Sequence, residues 1–269
     1  ISATPLRQYT SPCRKNDWRF PLTDSPSMVG IRLSKVMADR GLCSRREADQ
    51  LIRQGLVEVD GKVVSILGTR IDPSVQITLA PQALRARQHL VTVLLNKPPG
   101  YVSTQPEKGY PDSRSLICAA NRHCQPQSIE RQSPHRAAVH VAGRLDIDST
   151  GLLVLTEDGV IARQLIHPEH PISKEYAVRI RGKIGETTLD LLREGMELDG
   201  KKLRKVDVVQ NKTDQLKFIL TEGRNRQIRR MCELVGLKVV SLTRTRIGNI
   251  HLGRLPRGKW RLMKPDEAF

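Results

Sequence analysis

Gly143-Arg144-Leu145-Asp146-Ile147-Asp148-Ser149-Thr150-Gly151-Leu152-Leu153-Val154-Leu155-Thr156 is the stretch on which the reading of this chain turns. Two glycines bracket a dense polar cluster, and residues 152–156 then read as a buried strand. Val139-His140-Val141 reads as a strand just before it. A polar cluster between two apolar strands is where a fold can present side chains over a cleft. Asp146 and Asp148 are candidates for paired acids, of the kind found in a glycosidase or a metal site. Turn chemistry, with Asp, Ser and Thr capping backbone groups, accounts for the same residues and is the better reading of the spacing alone.

Upstream, Val91-Thr92-Val93-Leu94-Leu95 is an apolar strand that breaks at Lys97-Pro98-Pro99-Gly100, where two prolines and a glycine force a turn. Residues 105–137, rich in Pro, Gln, Ser and Arg, read as a long surface excursion with one short helix near 115–120. Cys118 and Cys124 lie too far apart for a zinc knuckle, so no metal is assigned there, with His123 and His135 incidental. Beyond residue 156, Glu157-Asp158-Gly159 closes the strand, and Ile161, Leu165 and Ile166 mark a helix. Residues 174–181 alternate as a strand, Leu189, Leu191 and Leu192 mark a short helix, and 206–209 and 216–220 are strands. Ile228, Met231, Cys232 and Val235 recur at helical spacing over 225–235, and 238–247 is strand-like. Many strands with few helices indicate an α+β fold, mainly antiparallel.

Residues 30–79 form a separate compact unit. Ile31, Leu33, Val36, Met37 and Leu42 are helically spaced, and Ser44-Arg45-Arg46-Glu47 is a capping box opening a second helix that Gly55 ends. Residues 57–64 alternate around Asp60-Gly61, a hairpin signal, with a further short strand pair at Ile71 and 75–79. Arg45, Arg46 and Arg53 on the polar side suit a module that docks on RNA. Residues 1–29 read as a flexible tail and 81–90 as a linker.

The charge balance points to a polyanionic partner: 45 Lys and Arg against 28 Asp and Glu give a formal net +17. Residues 221–261 hold eleven Lys and Arg and two acids, a net +9, which marks a contact surface rather than an even coat. With three Phe, two Trp and four Tyr, a sheet that reads bases by stacked aromatics is disfavoured. Five irregularly spaced cysteines fit reduced thiols and a cytoplasmic setting, not a disulfide framework. No apolar run approaches the roughly 18 residues of a membrane span. Within the basic region, Glu222-Gly223-Arg224-Asn225-Arg226-Gln227-Ile228-Arg229-Arg230-Met231 puts a glycine and several arginines at a helix N-terminus. Cations there oppose the helix dipole, which makes sense if that end faces phosphates or a buried carboxylate. A merely solvated basic helix is the alternative.

Together these segments resemble the RsuA-like pseudouridine synthases, in the branch that includes RluB and RluF. The likeness runs from Ile31 to Pro265. Leu95-Asn96-Lys97-Pro98-Pro99-Gly100 looks like the family's opening strand and turn, 143–151 like its catalytic motif, Lys174-Glu175-Tyr176 like its second and 223–231 like its third. Residues 31–79 are similar to its S4-type RNA-binding domain, and residues 224–233 with Arg244-Thr245-Arg246 lean to the RluF side. Residues 105–137 are longer than the pattern, which leaves substrate choice open.

The resemblance implies an α+β chain with a small S4-type domain (30–80) and a mainly antiparallel, mixed-sheet catalytic domain (91–265). It implies conversion of uridine to pseudouridine with no cofactor and no metal. Asp146 would be the ionised carboxylate at the ribose, acting either as nucleophile on the sugar or as base at C2′. Tyr176 would stack on the uracil and take the C5 proton; packing on the core is its other reading. Arg229 would keep Asp146 ionised through a bidentate pair. Arg144 would hold the flipped-out nucleotide and Ile228 would wall the pocket. Arg224, Arg226 and Arg230, with Arg45, Arg46 and Arg53, would contact RNA, and Asp148 would support the turn. The expected partner is RNA, large-subunit ribosomal RNA ahead of transfer RNA, for a monomer with no membrane contact. A non-catalytic RNA-binding assembly factor would have lost Asp146 or Tyr176, and both are present. A carboxylate-pair hydrolase would need an aromatic-lined cleft, and a DNA binder a helix-turn-helix or zinc spacing that is absent.

Overall fold

A computed structural model describes residues 30–104, 109–123, 134, 138–167 and 171–269. The tail expected over 1–29, and Cys124 and His135, lie outside them. The first unit begins with β1 (Ile31–Arg32), α1 (Leu33–Asp39) and α2 (Arg45–Arg53). Ser44 and Glu47 form the full capping box at α2. At its other end Gly55, at φ +67, and Leu56 close the helix through their N–H groups, each 2.9 Å from a carbonyl of Ile52 or Leu51. β2 (Val57–Val59) and β3 (Lys62–Val63) make the hairpin, with Asp60 and Gly61 both left-handed at φ +48 and +75, as a two-residue turn of matching twist requires. β4 (Arg70–Ile71) pairs with β1, and β5 (Ile77–Leu79) pairs with β2. The two segments expected to pair with each other therefore each complete an earlier strand.

The stretch expected as a linker carries α3 (Pro81–Arg87), with proline in the first turn, where the missing N–H would have no partner anyway. Ala83 joins Leu33, Met37, Ala48, Ile52 and Val57 in the core of the N-terminal unit. Arg87 on α3 donates to Glu47 at 2.6 Å and to Asp158 at 3.2 Å, bridging to the rest of the chain.

The second unit is built on one sheet. Its strands are β6 (Thr92–Lys97), β7 (His140–Ala142), β8 (Thr150–Thr156), β9 (Lys174–Arg181), and, after the β10 (Glu197–Leu198) and β11 (Lys201–Lys202) hairpin, β12 (Asp207–Lys212), β13 (Gln215–Leu220), β14 (Lys238–Ile247), β15 (Ile250–His251) and β16 (Trp260–Leu262). The order is β12-β13-β9-β14-β8-β6-β16, with β7 on β8 and β15 on β14. Among the described residues β14–β8 is parallel and the other pairings in this sheet are antiparallel. β6 and β8 are buried at every residue because alternate side chains feed two cores. Val93, Leu95, Leu153 and Leu155 join the larger core, while Leu94, Leu152 and Val154 join the smaller. That is why these strands read as unbroken apolar runs. α5 (Glu186–Glu194) and α6 (Gln227–Leu234) bury Leu189, Leu192, Ile228 and Met231 in the larger core, and α4 (Gly159–Ile166) buries Leu165 in the smaller. In place of one short helix near 115–120 there are two 3₁₀ turns, Ser113–Leu116 and Ala119–Asn121, pinned by Trp260 Nε1 donating to Cys118 O at 2.9 Å.

The N-terminal unit rests against α4 rather than hanging on a free tether. Arg163 donates to Asp39 at 2.8 Å and to the Ala38 carbonyl, and Ser44 packs so closely on Gly159 that a Cβ there would overlap it. The loop carrying residues 143–149 leaves the sheet at the parallel joint, where Gly151 faces Arg244. Gly151 has φ +101, and a Cβ on it would overlap the Arg244 backbone. Gly151→Ala should therefore lower stability by about 2–5 kcal/mol in urea unfolding, through strain and overpacking together. A change within about 0.5 kcal/mol, typical of a neutral surface site, would contradict that close approach.

Candidate active site

The loop between β7 and β8 is fastened from beneath by groups that are not in it. Lys97, at the end of β6, is fully buried, and its ammonium donates to the carbonyls of Pro98 (2.9 Å), Ser149 (3.0 Å) and Ile147 (3.4 Å). Burial pushes the Lys97 ammonium down to about 8, with Asp148 and Asp146 pulling the other way. Arg244, 1% exposed, donates to Leu152 O (2.7 Å), Gly143 O (3.1 Å) and Arg144 O (3.4 Å), so it grips both ends of the same loop. The Ser103 hydroxyl donates to Leu145 O at 2.6 Å and accepts from Leu145 N at 2.9 Å. Ser149 N–H closes the turn onto Asp146 O at 3.1 Å.

So held, the loop forms one wall of a cavity of about 830 Å³. Arg144, Asp146 and Asp148 line it from the loop, Lys174 and Tyr176 from β9, Arg244 from β14, and Arg224 and Arg226 from the segment before α6. Tyr176 is buried and belongs to the larger core as well as to the cavity wall. Arg144 is exposed at the cavity, and the Asp146 side chain is 32% exposed.

The arginines are shared out differently from the expectation. Arg229 does not form a bidentate pair with Asp146: its Nη2 lies 3.2 Å from the Asp148 carboxylate and 3.4 Å from Ser149 Oγ, while its Nε is buried without a partner. Arg226 reaches Asp146, at 3.8 Å, and donates to both oxygens of Asp148 at 3.3 Å. These hydrogen bonds to Asp148 hold the Arg226 guanidinium above its ordinary value. The cause is where the helix starts. α6 begins at Gln227 behind a left-handed Arg226 (φ +50), which turns Arg226 into the cavity and leaves Arg229, on the first turn, behind the loop. Asp148 is thus more than a turn residue: it is the anion that ties α6 to the loop. Ile228 packs in the larger core and does not line the cavity. Arg230 is paired with Asp199 at 2.6 Å and also lies outside the cavity lining. Arg45, Arg46 and Arg53 are exposed on α2 and take no part in this site.

Lys97, Ser103, Lys174 and Arg244 were not singled out for this site by the sequence. A signal existed for Arg244, which follows the buried Leu242 at strand period, and for Lys97, the polar end of an apolar strand.

The sequence model of the RNA pseudouridylate synthases matches residues 91–234, and that of the S4 domain matches 31–77. The chain is 38% identical over 244 residues to an uncharacterised RNA pseudouridine synthase of Mycobacterium tuberculosis, covering 88% of this chain and 91% of that one. It is 36% identical to the dual-specificity RNA pseudouridine synthase RluF of Escherichia coli, over 89% of this chain and 77% of that one. It is also 36% identical to ribosomal large subunit pseudouridine synthase B of Bacillus subtilis, over 88% and 93%. A crystal structure of a pseudouridylate synthase aligns with a TM-score of 0.59 at 26% identity, over 87% of this chain and 96% of that one.

The buried ammonium has a pH signature. Folded Lys97 loses its proton near pH 8, whereas the ordinary value is 10.5. Between these values the unfolded chain binds more protons, so stability rises with pH. Relative to Lys97→Met, the wild type should gain on the order of 3 kcal/mol across that window in urea unfolding. A difference that stays flat or shrinks would contradict a protonated, buried Lys97 beneath the loop.

Proposed function

The chain belongs to the RNA pseudouridylate synthase family, and from that premise we propose that it isomerises a uridine of large-subunit ribosomal RNA with Asp146 as the reacting carboxylate. The observation that carries this reading is one cavity in which Asp146 and Tyr176 line the same space beneath an arginine-rich rim. The target nucleotide leaves its stack and enters the cavity, with Arg144 taking a place against it. Asp146 attacks C1′ or removes the C2′ proton, and the C1′–N1 bond breaks with its electron pair on the uracil. The ring turns and C5 bonds to C1′, which either displaces the Asp146 carboxylate from C1′ or, on the other route, goes with return of the proton from Asp146 to C2′; Tyr176 takes the C5 proton and N1 is reprotonated. No atom is gained or lost, so no cofactor is called for. Arg226 balances the charge of Asp146 and Asp148, and Arg229 acts through Asp148 and Ser149 on the shape of the turn. Arg224 meets phosphate at the rim, and exposed Arg45, Arg46 and Arg53 extend the RNA surface over the S4 unit. Arg230, committed to Asp199, and Ile228, committed to the core, drop out of the substrate contacts.

Ribosomal RNA is favoured by the likeness to the Bacillus subtilis enzyme, whose name specifies the ribosomal large subunit. The net +9 of residues 221–261 supports a large polyanionic partner, and the overall +17 disfavours self-association, in keeping with a monomer. Among the described residues no helix is long and apolar enough to cross a membrane, and Cys43, Cys118 and Cys232 are free thiols, as a cytoplasmic enzyme would keep them.

The test is tritium release from RNA labelled at uridine C5. Large-subunit ribosomal RNA should release label at least about tenfold faster than transfer RNA, a difference of about 1.4 kcal/mol in activation free energy. Faster release from transfer RNA would overturn the substrate assignment. No release from either RNA would overturn the reaction in favour of a binding protein.

A further inference from the structure

Lys174 and Tyr176 stand two residues apart on β9, hence on the same face, and both line the cavity. Two of the cations that line the cavity are answered by carboxylates, Arg226 by Asp148 and Arg224 by Glu222, and so is Arg246, farther along β14, by Glu175. Lys174 is not. Its Nζ has a long contact to Ile172 O at 3.4 Å, and among the described residues no carboxylate forms an ion pair with it. Its charged neighbour is Arg244, opposite Tyr176 on β14, whose guanidinium is occupied by carbonyls of the loop. Two partly or wholly buried like charges in one cavity wall oppose each other unless an anion comes between them.

We propose that Lys174 is a catalytic residue whose ammonium donates a hydrogen bond to the uracil carbonyl oxygen that gains negative charge as the C1′–N1 bond breaks. This rests on the reading of the site as a uridine isomerase. The electron pair released by that bond stays with N1 and spreads onto the ring oxygens until C5 bonds to C1′. Lys174 keeps its proton throughout. A fixed donor aimed at charge that exists only during turnover lowers the barrier without tightening ground-state binding. Position favours the base over the backbone. Lys174 is half-buried and neighbours the tyrosine proposed to stack on the ring, whereas Arg144 and Arg226 are exposed. Burial, and then Arg244, push the Lys174 ammonium down to about 8, so it is weakly hydrated yet mostly charged at neutral pH.

The experiment compares wild type, Lys174→Met and Lys174→Arg in single-turnover tritium release, with RNA affinity by filter binding and thermal unfolding measured alongside. Lys174→Met should slow release by about 100-fold or more and leave RNA affinity within about threefold. Its melting temperature should hold or rise, because a desolvated like charge beside Arg244 is gone. Lys174→Arg should recover part of the rate. A rate equal to wild type in Lys174→Met, or a loss of affinity matching the loss of rate, would overturn the proposal, the latter making Lys174 a phosphate anchor. A lowered melting temperature with equal rate loss in both variants would also overturn it, in favour of a structural lysine. Absence of release by the wild type would instead overturn the isomerase reading itself.

Discussion

The site depends on two buried cations that hold a loop by its backbone. Lys97 gathers the carbonyls of Pro98, Ile147 and Ser149, and Arg244 gathers those of Gly143, Arg144 and Leu152. Carbonyl oxygens supply several weak acceptors instead of one neutralising carboxylate. The charges are therefore hydrogen-bonded but not cancelled, and the carboxylates of Asp146 and Asp148 stay on the cavity side. Arg244 can occupy its position only because β8 and β14 run parallel with Gly151 at the joint. Sheet topology, a residue without a side chain and a buried guanidinium thus act as one device.

Above that platform the arginines divide the labour according to where α6 begins. The left-handed turn at Arg226 sends one guanidinium toward Asp148 and Asp146, and the first helical turn sends Arg229 to Asp148 and Ser149 from behind. Asp148 is clasped from two directions, and among the described residues the acid two residues earlier keeps one longer ionic contact and access to the cavity. The cost of arginines at a helix N-terminus is offset by these carboxylates, which makes the basic helix more than a solvated one.

Much of this was legible in the residues. The capping box at Ser44, the left-handed pair Asp60-Gly61, the strand 174–181 and the apolar runs of β6 and β8 each encode their own geometry within a few residues. What was not legible depends on contacts far apart in sequence. Local spacing cannot say that Ile71 pairs with Ile31 and not with residues 75–79, or that residues 81–87 coil into a helix against the N-terminal core. In the site, Asp146, Arg144 and Tyr176 line the cavity, and each stands in a motif that the sequence displays. Arg229 was assigned the wrong acid because one residue of helix start decides which arginine faces the cavity. Lys97 and Arg244 escaped because a buried cation served by backbone carbonyls leaves no acidic partner in the sequence to point to it.

Asp146→Asn removes the charge of the proposed reacting carboxylate above this platform and keeps its shape. With uridine-labelled ribosomal RNA, turnover should vanish while RNA affinity stays within about threefold of wild type, a change of roughly 0.65 kcal/mol or less. Turnover that survives in the variant, or affinity that collapses with it, would return Asp146 to a purely structural place in the turn.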